Sequence, residues 1–400
     1  MAVLFAEGFT GTPVTTGLTA GASWAWGVTN GLTNLGWSFS AFYNGTNGAI
    51  SATDGNIIAA VEADPVFADR RQLRLSKAIS ASVITLIQQV IQPLPRASEF
   101  QKIIIGMTAT LDFTSSQNKN RWLYIGNQVG VPNSAYTAAQ MNNLDGALAL
   151  IRFTGDTIGS TGGTGLFPQN QNGPSIDLPN LAVGTFAHIE IVIEKDVPRT
   201  RVYVDGTLVS DAPRVPTTLS GFSVGQWIQS GVAGIHNAKY SNIYVLGMDA
   251  NHTARLGPAA RILEVAPPGD MDVQWKRPDG YATNAEVMGQ MFNVINPAYL
   301  AASKVGDYDV YSAPSAVAAN AVQVFGAGIK VNAMTMAAGT HTIKPVVKTA
   351  TGVHEVGSES TLLLGTLTPI FADTSVNPDT NAVWTPSAVN AAGFGVKLKS

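Results

Sequence analysis

Residues 199–213 read RTRVYVDGTLVSDAP. Two β-forming runs, 201–204 and 207–210, flank the pair Asp205-Gly206. A two-residue type I′ turn needs positive φ at both central positions, which Asp tolerates and Gly adopts freely. The stretch therefore predicts a β-hairpin with Asp205 and Gly206 as its structural turn. Just upstream, 186–196 reads FAHIEIVIEKD. Ile189, Ile191 and Ile193 share one face of a strand, and His188, Glu190, Val192 and Glu194 share the other. One core face and one wetter face indicate an antiparallel sheet.

The same signals extend outward in both directions. Strands are expected at 35–43, 56–60, 81–91, 102–112, 121–126, 147–153, 187–194, 200–204, 207–210 and 241–246. Most are short and bounded by Gly, Asn, Asp or Pro, as in a sandwich or barrel. Residues 155–180 read as one long Gly-, Asn- and Pro-rich loop, a length usual for functional or contact segments. Short helices are expected at 137–147 and 283–295. A boundary is placed between 247 and 285, giving a β-sandwich over 1–250, a Pro/Gly-rich linker over 251–285 and a C-terminal β domain over 286–400. That last part has expected strands at 308–312, 320–325, 328–334, 342–348, 360–365 and 394–398. No internal repeat of fixed period is present.

Composition narrows the function classes. Of 400 residues, 45% are hydrophobic and only 13% are charged, about half the charge of an ordinary soluble domain. Such a chain suits an all-β protein with a neutral polar surface, or a subunit that hides surface in an assembly. The formal net charge of −3 offers no basic stripe for phosphates, which argues against a nucleic-acid partner. There is no cysteine, so disulfides, thiolate metal sites and cysteine nucleophiles are excluded. The start, MAVLFAEGFTGT, lacks the positive region of a signal peptide. Residues 79–94 are too polar and too short to span a bilayer, so no membrane insertion is expected. A soluble protein made in the cytosol is the expectation.

Two resemblances stand on particular residues. Residues 1–250, with HIEIVIE, then RVYVDGTLV, then SNIYVLGMD, resemble a concanavalin-like or laminin-G-like jelly roll. Over its whole length the chain resembles a group of tailed-bacteriophage virion structural proteins. The matching elements are Leu256-Gly257, Trp275, Asp307-Tyr308-Asp309, Asn377-Pro378, Trp384 and Gly393-Phe394-Gly395, in that order. This resemblance implies a virion component of the tail or capsid, assembled in the host cytoplasm. Its implied partners are other virion proteins and copies of itself. It brings no catalytic residues.

The residue types and their spacing bear on chemistry directly. Concanavalin-type glycosidases place acids at alternate positions of one strand, close enough to flank a sugar bond. Here Glu190 and Glu194 are four residues apart, about 13 Å along a strand, and the plain reading is two solvated glutamates on an outer face. The histidines, His188, His236, His252, His341 and His354, show no zinc spacing; His236 and His252 read as polar turn residues near strand ends. The GSTGGTG run at 159–165 lacks the Lys and helix onset of a phosphate loop. No cofactor is expected; the residual candidate is calcium held by Asp54, Asp156, Asp177 and Asp205, all assigned to loops. For glycan contact the candidates are Trp122 and Trp227, whereas Trp24 and Trp26 share one face and read as core. Three functions follow in order: a virion structural protein, a receptor- or glycan-binding adhesin on the virion that would contact host surface glycan, and a polysaccharide-degrading enzyme.

Overall fold

The computed structural model describes residues 2–7, 38–44, 57–63, 71–79, 84–94, 96–113, 121–126, 147–153, 175–178, 184–213, 219, 221–230, 234–248, 254–264, 266–289, 298–313, 321 and 323–400. Its class is the expected one, all-β with antiparallel sheets. One compact unit ends at Ile262 and a second begins at Leu263.

The first unit is a two-sheet sandwich of the jelly-roll kind. Its strands are β1 (Ala2–Glu7), β2 (Ser38–Asn44), β3 (Ile57–Ala63), β4 (Arg71–Ile79), β5 (Ile84–Pro93), β6 (Lys102–Phe113), β7 (Arg121–Gly126), β8 (Ala147–Phe153), β9 (Ser175–Leu178), β10 (Ala187–Glu194), β11 (Arg199–Val204), β12 (Thr207–Ala212), β13 (Gly221–Ser230) and β14 (Gly234–Met248). One sheet runs β12-β11-β10-β6-β14-β4-β3, with β1 also on β14. The other runs β2-β5-β13-β7-β8-β9. Only the β8–β9 pair, among the described pairings of this unit, is parallel.

Alternation sets the inner rows, although β6 and β10 are buried on the opposite phase as well, at Ile104, Glu190 and Val192. Leu73 and Leu75 on β4, Ile103, Ile105 and Met107 on β6, and Ile189, Ile191 and Ile193 on β10 are fully buried. Phe5 meets Phe222 of β13 with ring centroids 5.3 Å apart. Two polar side chains bridge the sheets and satisfy buried carbonyls, as buried polar groups must. The Tyr240 hydroxyl of β14 donates to the Gly225 carbonyl of β13, and Gln226 donates to the Leu75 carbonyl at 3.3 Å.

The second unit is smaller. It comprises β15 (Asp270–Val273), α1 (Asn284–Gly289), β16 (Tyr308–Ser312), β17 (Ala327–Ala333), β18 (His341–Lys348), β19 (Val353–Glu355), β20 (Ser360–Leu362), β21 (Thr368–Thr374), α2 (Pro386–Ala391) and β22 (Gly393–Leu398). A sheet runs β15-β16-β22-β18-β19 with β20 on β18, and β17 pairs with β21 as a ribbon. Val331 and Ile370 of the ribbon pack on Ile343 and Val396 of the sheet. Trp384 fills a second cluster with Val347, Val389 and Phe394. Thr385 caps α2 by accepting from the Ala388 amide at 3.2 Å, and Pro386 occupies the first turn, where no amide is needed.

Several expectations are corrected. Residues 155–180 are not all loop, because β9 lies within them. Of the strand expected at 320–325, the described residues 321 and 323–325 form none; Val324 makes a single bridge to Trp384. Strands β1, β4, β13, β15, β19 and β21 were not expected. Of the helix expected at 283–295, α1 covers Asn284–Gly289, Thr283 precedes it and 290–295 lie outside the described residues; of the helix expected at 137–147, Ala147 instead opens β8 and 137–146 lie outside the described residues. The stretch read as a linker contains β15 and leads into α1.

Candidate functional site

The most organised polar cluster of the sandwich lies on the outer face of the larger sheet. Register places Tyr203, Glu190, Gly106 and Tyr244 in one row across β11, β10, β6 and β14. A Cβ on Gly106 would overlap the Tyr244 ring. The glycine therefore lets Tyr244 lie across β6, and its hydroxyl donates to Glu190 Oε1 at 2.9 Å. Residues 255–257 cover the same carboxylate. Arg255 Nη1 donates to Oε2 at 2.7 Å, and the amides of Leu256 and Gly257 donate to Oε1 at 3.1 and 3.0 Å. The Arg255 guanidinium sits 3.6 Å from the centroid of the Tyr203 ring, a cation–π contact.

This corrects the reading of Glu190 as a solvated residue: it is 0% exposed. Strand alternation placed it on the outer face but could not reveal the segment that covers that face, more than 60 residues downstream. Glu194 remains partly exposed and pairs with Lys102 at 3.2 Å and Arg201 at 2.9 Å. With four donors on one carboxylate, Glu190 acts as a clamp that holds residues 255–257 on the sheet. A catalytic acid would instead need to face a substrate.

His188 and Asp205 flank the clamp. Tyr244 has one hydroxyl proton, which goes to Glu190, so the 3.2 Å contact with His188 requires the imidazole proton on Nε2. His188 Nδ1 has no hydrogen-bond partner. Burial holds this imidazole below its ordinary value, opposed by the charges of Glu190 and Asp205 and assisted by Arg261 and Arg255. Burial also pushes the Tyr244 phenol up, reinforced by Glu190. Asp205 and Gly206 have φ of 47° and 84°, the signs a type I′ turn needs, and Val204 pairs with Thr207 around them. Asp205 Oδ1 also accepts from the His188 amide at 2.9 Å, and the Gly206 carbonyl accepts from Arg255 at 3.3 Å. The hairpin turn is thus part of the clamp.

The second unit repeats the device with Asp309, which is 0% exposed. It accepts from the amides of Gln274 and Trp275 at 2.7 and 2.8 Å, from Asn284 at 2.7 Å and from the Tyr311 hydroxyl at 3.0 Å. Burial raises its carboxyl above the usual value, and those donors oppose the rise. The residues that carry the virion resemblance thereby acquire structural roles. Leu256 and Gly257 supply amides to Glu190, and Trp275 supplies one to Asp309. Trp384 Nε1 donates to the Thr374 carbonyl at 3.0 Å and its ring meets Phe394 at 6.0 Å. A Cβ on Gly395 would overlap the Asp309 carbonyl.

The candidate glycan residues are brought together. Trp122 of β7 and Trp227 of β13 are direct cross-strand partners. Register continues the row through Ile87 of β5 to Phe42 of β2. Trp122 and Trp227 occupy the strand phase opposite to that of Leu123 and Gln226, and on their phase Ser223 of β13 is also buried. Of the calcium candidates, Asp177 lies in β9 and not in a loop, Asp205 serves the turn, and Asp54 and Asp156 lie outside the described residues. No group of three metal-ligating side chains occurs among the described residues. His236 is corrected from turn residue to buried strand residue of β14. His354 of β19 bonds Asp379 at 3.0 Å, and His252, Trp24, Trp26 and the 159–165 run lie outside the described residues. No helix among the described residues is long and apolar enough to cross a membrane.

No protein-family model matches the chain. No curated protein matches it either. Solved structures similar to part of it include a sialidase, at 13% identity over 50% of this chain and 17% of that one, with a TM-score of 0.28. The Emp47p carbohydrate recognition domain is 12% identical over 52% of this chain and 96% of that one, with a TM-score of 0.29. Alginate lyase A1-II′ is 13% identical over 54% of this chain and 96% of that one, also with a TM-score of 0.29. The chain spans 17% to half of the length of the sialidase and of the botulinum neurotoxin chains it also matches. At these scores the likenesses carry no argument, and the architecture rests on the strand pairings above.

Proposed function

We propose that the chain is a non-enzymatic, glycan-recognising component of a tailed-bacteriophage particle. In this reading the first unit contacts host surface glycan, and the second joins the chain to other virion proteins and to copies of itself. The observation that carries it is the pairing of Trp122 with Trp227 on neighbouring strands. Sugar sites combine aromatic faces with a few fixed polar groups. Two positions along the strands on one side, the row is flanked by Asn44, Thr85 and Gln229; on the other it is flanked by Ser40, Gln89 and Tyr124. These are hydrogen-bonding residue types on the same strand phase as the tryptophans.

Two further points support the reading. Glu190, the acid at a lectin-type strand position, is engaged by four donors and has a structural duty, which favours binding over hydrolysis. The order of Leu256-Gly257, Trp275, Asp307-Tyr308-Asp309, Trp384 and Gly393-Phe394-Gly395 supports the virion assignment. Antibody labelling and imaging of intact particles test that assignment. The chain is expected at a fixed position in stoichiometric copy number, and its absence from purified particles would overturn the virion part.

A further inference from the structure

We propose that residues 255–262 form a strap that acid releases from the sandwich, with His188 beneath it as the sensor. Two fastenings hold the strap on the outer face of the larger sheet. At one end Arg255, Leu256 and Gly257 donate to the Glu190 carboxylate at 2.7, 3.1 and 3.0 Å. At the other end the Ile262 amide donates to Asn242 Oδ1 at 3.4 Å. Asn242 lies in the irregularity of β14 that follows Ser241 and has φ of 49°. Register joins the two ends through one row of the sheet: His188 of β10 pairs with Thr108 of β6, and Thr108 pairs with Ser241 of β14. His188 precedes Glu190 by two residues and shares its face. It therefore sits beside the first fastening, in the row that leads to the second, and is only 5% exposed.

The imidazole holds one proton readily and resists a second. Its Nε2 donates to the Tyr244 hydroxyl, whose own proton goes to Glu190. A second proton must go to Nδ1, a buried nitrogen with no hydrogen-bond partner, and a buried charge without a bonded acceptor is unfavourable. Glu190 of β10 and Asp205 of the hairpin turn favour the imidazolium, whereas Arg255 and Arg261, both on the strap, oppose it. Tyr244 of β14 stays protonated, and β6 contributes Thr108, which does not titrate. Burial outweighs the two carboxylates, so the closed strap disfavours the charged ring. The two acids are fixed in the sandwich, and the two arginines belong to the part that can leave. Release of the strap removes their repulsion and admits water to Nδ1, which restores the ordinary affinity of the ring for protons. Acid therefore favours the open state. By linkage, each pH unit below about 6.5 shifts the balance toward opening by up to ~10-fold, until the closed-state value is passed.

Hydrogen exchange of the full chain from neutral to acid pH, divided by the intrinsic chemical rate at each pH, tests the proposal. Opening at the Leu256 and Gly257 amides is expected to rise by up to ~10-fold per pH unit below about pH 6.5. The Ile105 amide, in the middle of β6, should stay protected over the same range. His188→Gln, which keeps a neutral polar side chain, should abolish the rise. Wild type alone decides if that variant fails to fold. Opening at Leu256 and Gly257 that ignores pH would overturn the proposal, as would a rise shared with Ile105, which is unfolding of the whole unit. A rise of the same slope in folded His188→Gln would overturn it too, by assigning the response to Glu190. The measurement uses neither glycan nor particles, so failure of glycan recognition would not be mistaken for failure of the strap.

Discussion

The Gly257 amide donates to Glu190 Oε1 across 3.0 Å, joining residues 67 positions apart in sequence. That bond, with those from Leu256 and Arg255, ties the chain leaving β14 to the outer face of the sandwich. Removing the carboxylate takes the shared acceptor from four buried or half-buried donors, and a broken buried pair typically costs about 3–5 kcal/mol. Glu190→Ala should lower the stability of the first unit by that order in urea unfolding. Glu190→Gln, which keeps one acceptor oxygen, should cost less. Equal, small effects of both substitutions would contradict the clamp.

Gly106 exists so that Tyr244 can cross β6. Gly106→Ala must displace a ring held by Glu190, with an expected cost of about 1–3 kcal/mol from overpacking. Because the two residues share one space, the double variant Gly106→Ala/Tyr244→Ala should lose less than the sum of the single losses. Chemical denaturation of the four proteins in this cycle measures the coupling, and strict additivity would count against the contact.

These two residues show what local sequence reading can and cannot reach. Asp205-Gly206 specified its own turn, because the φ demand is local, and Ile189, Ile191 and Ile193 specified the core face of β10 by alternation. Glu190 was placed on the correct face and given the wrong solvent exposure. What buries it, Arg255 to Gly257, is remote in sequence and carries no periodic signal of its own. The same holds for Asp309, whose donors come from Gln274, Trp275, Asn284 and Tyr311. β4 and β13 were missed because both lie in the middle of sheets. Gln72, Ser76, Ser223 and Gln226 are all buried there, so polarity does not mark the solvent face. The Trp122–Trp227 pairing required strand register, which composition does not supply.

His188 gives the sandwich a pH dependence of defined sign. Its folded-state value lies below the ordinary 6.5 because burial disfavours the imidazolium. A depressed value means that the contribution to stability is complete above about pH 6.5 and is lost as pH falls from there through the folded-state value. Thermal midpoints of wild type and His188→Gln, measured from neutral to acid pH, should therefore converge as pH drops. A constant difference over that range would contradict the assignment.

In the second unit Asp309→Ala should uncouple β16 from Trp275 and α1. The loss is expected at about 3 kcal/mol or more, since several buried donors lose their acceptor at once. Hydrogen exchange should show faster exchange at the Gln274 and Trp275 amides in the variant. Unchanged protection there would argue against Asp309 as the anchor.

The most direct test of glycan recognition without catalysis is equilibrium binding of the full chain to host surface polysaccharide, with release of reducing ends followed in the same samples. Saturable binding with no release is predicted for wild type, with at least ~10-fold weaker binding in Trp122→Ala and Trp227→Ala and no loss in Leu208→Asp. Binding that survives both tryptophan substitutions, or release of reducing ends by the wild-type chain, would contradict the account.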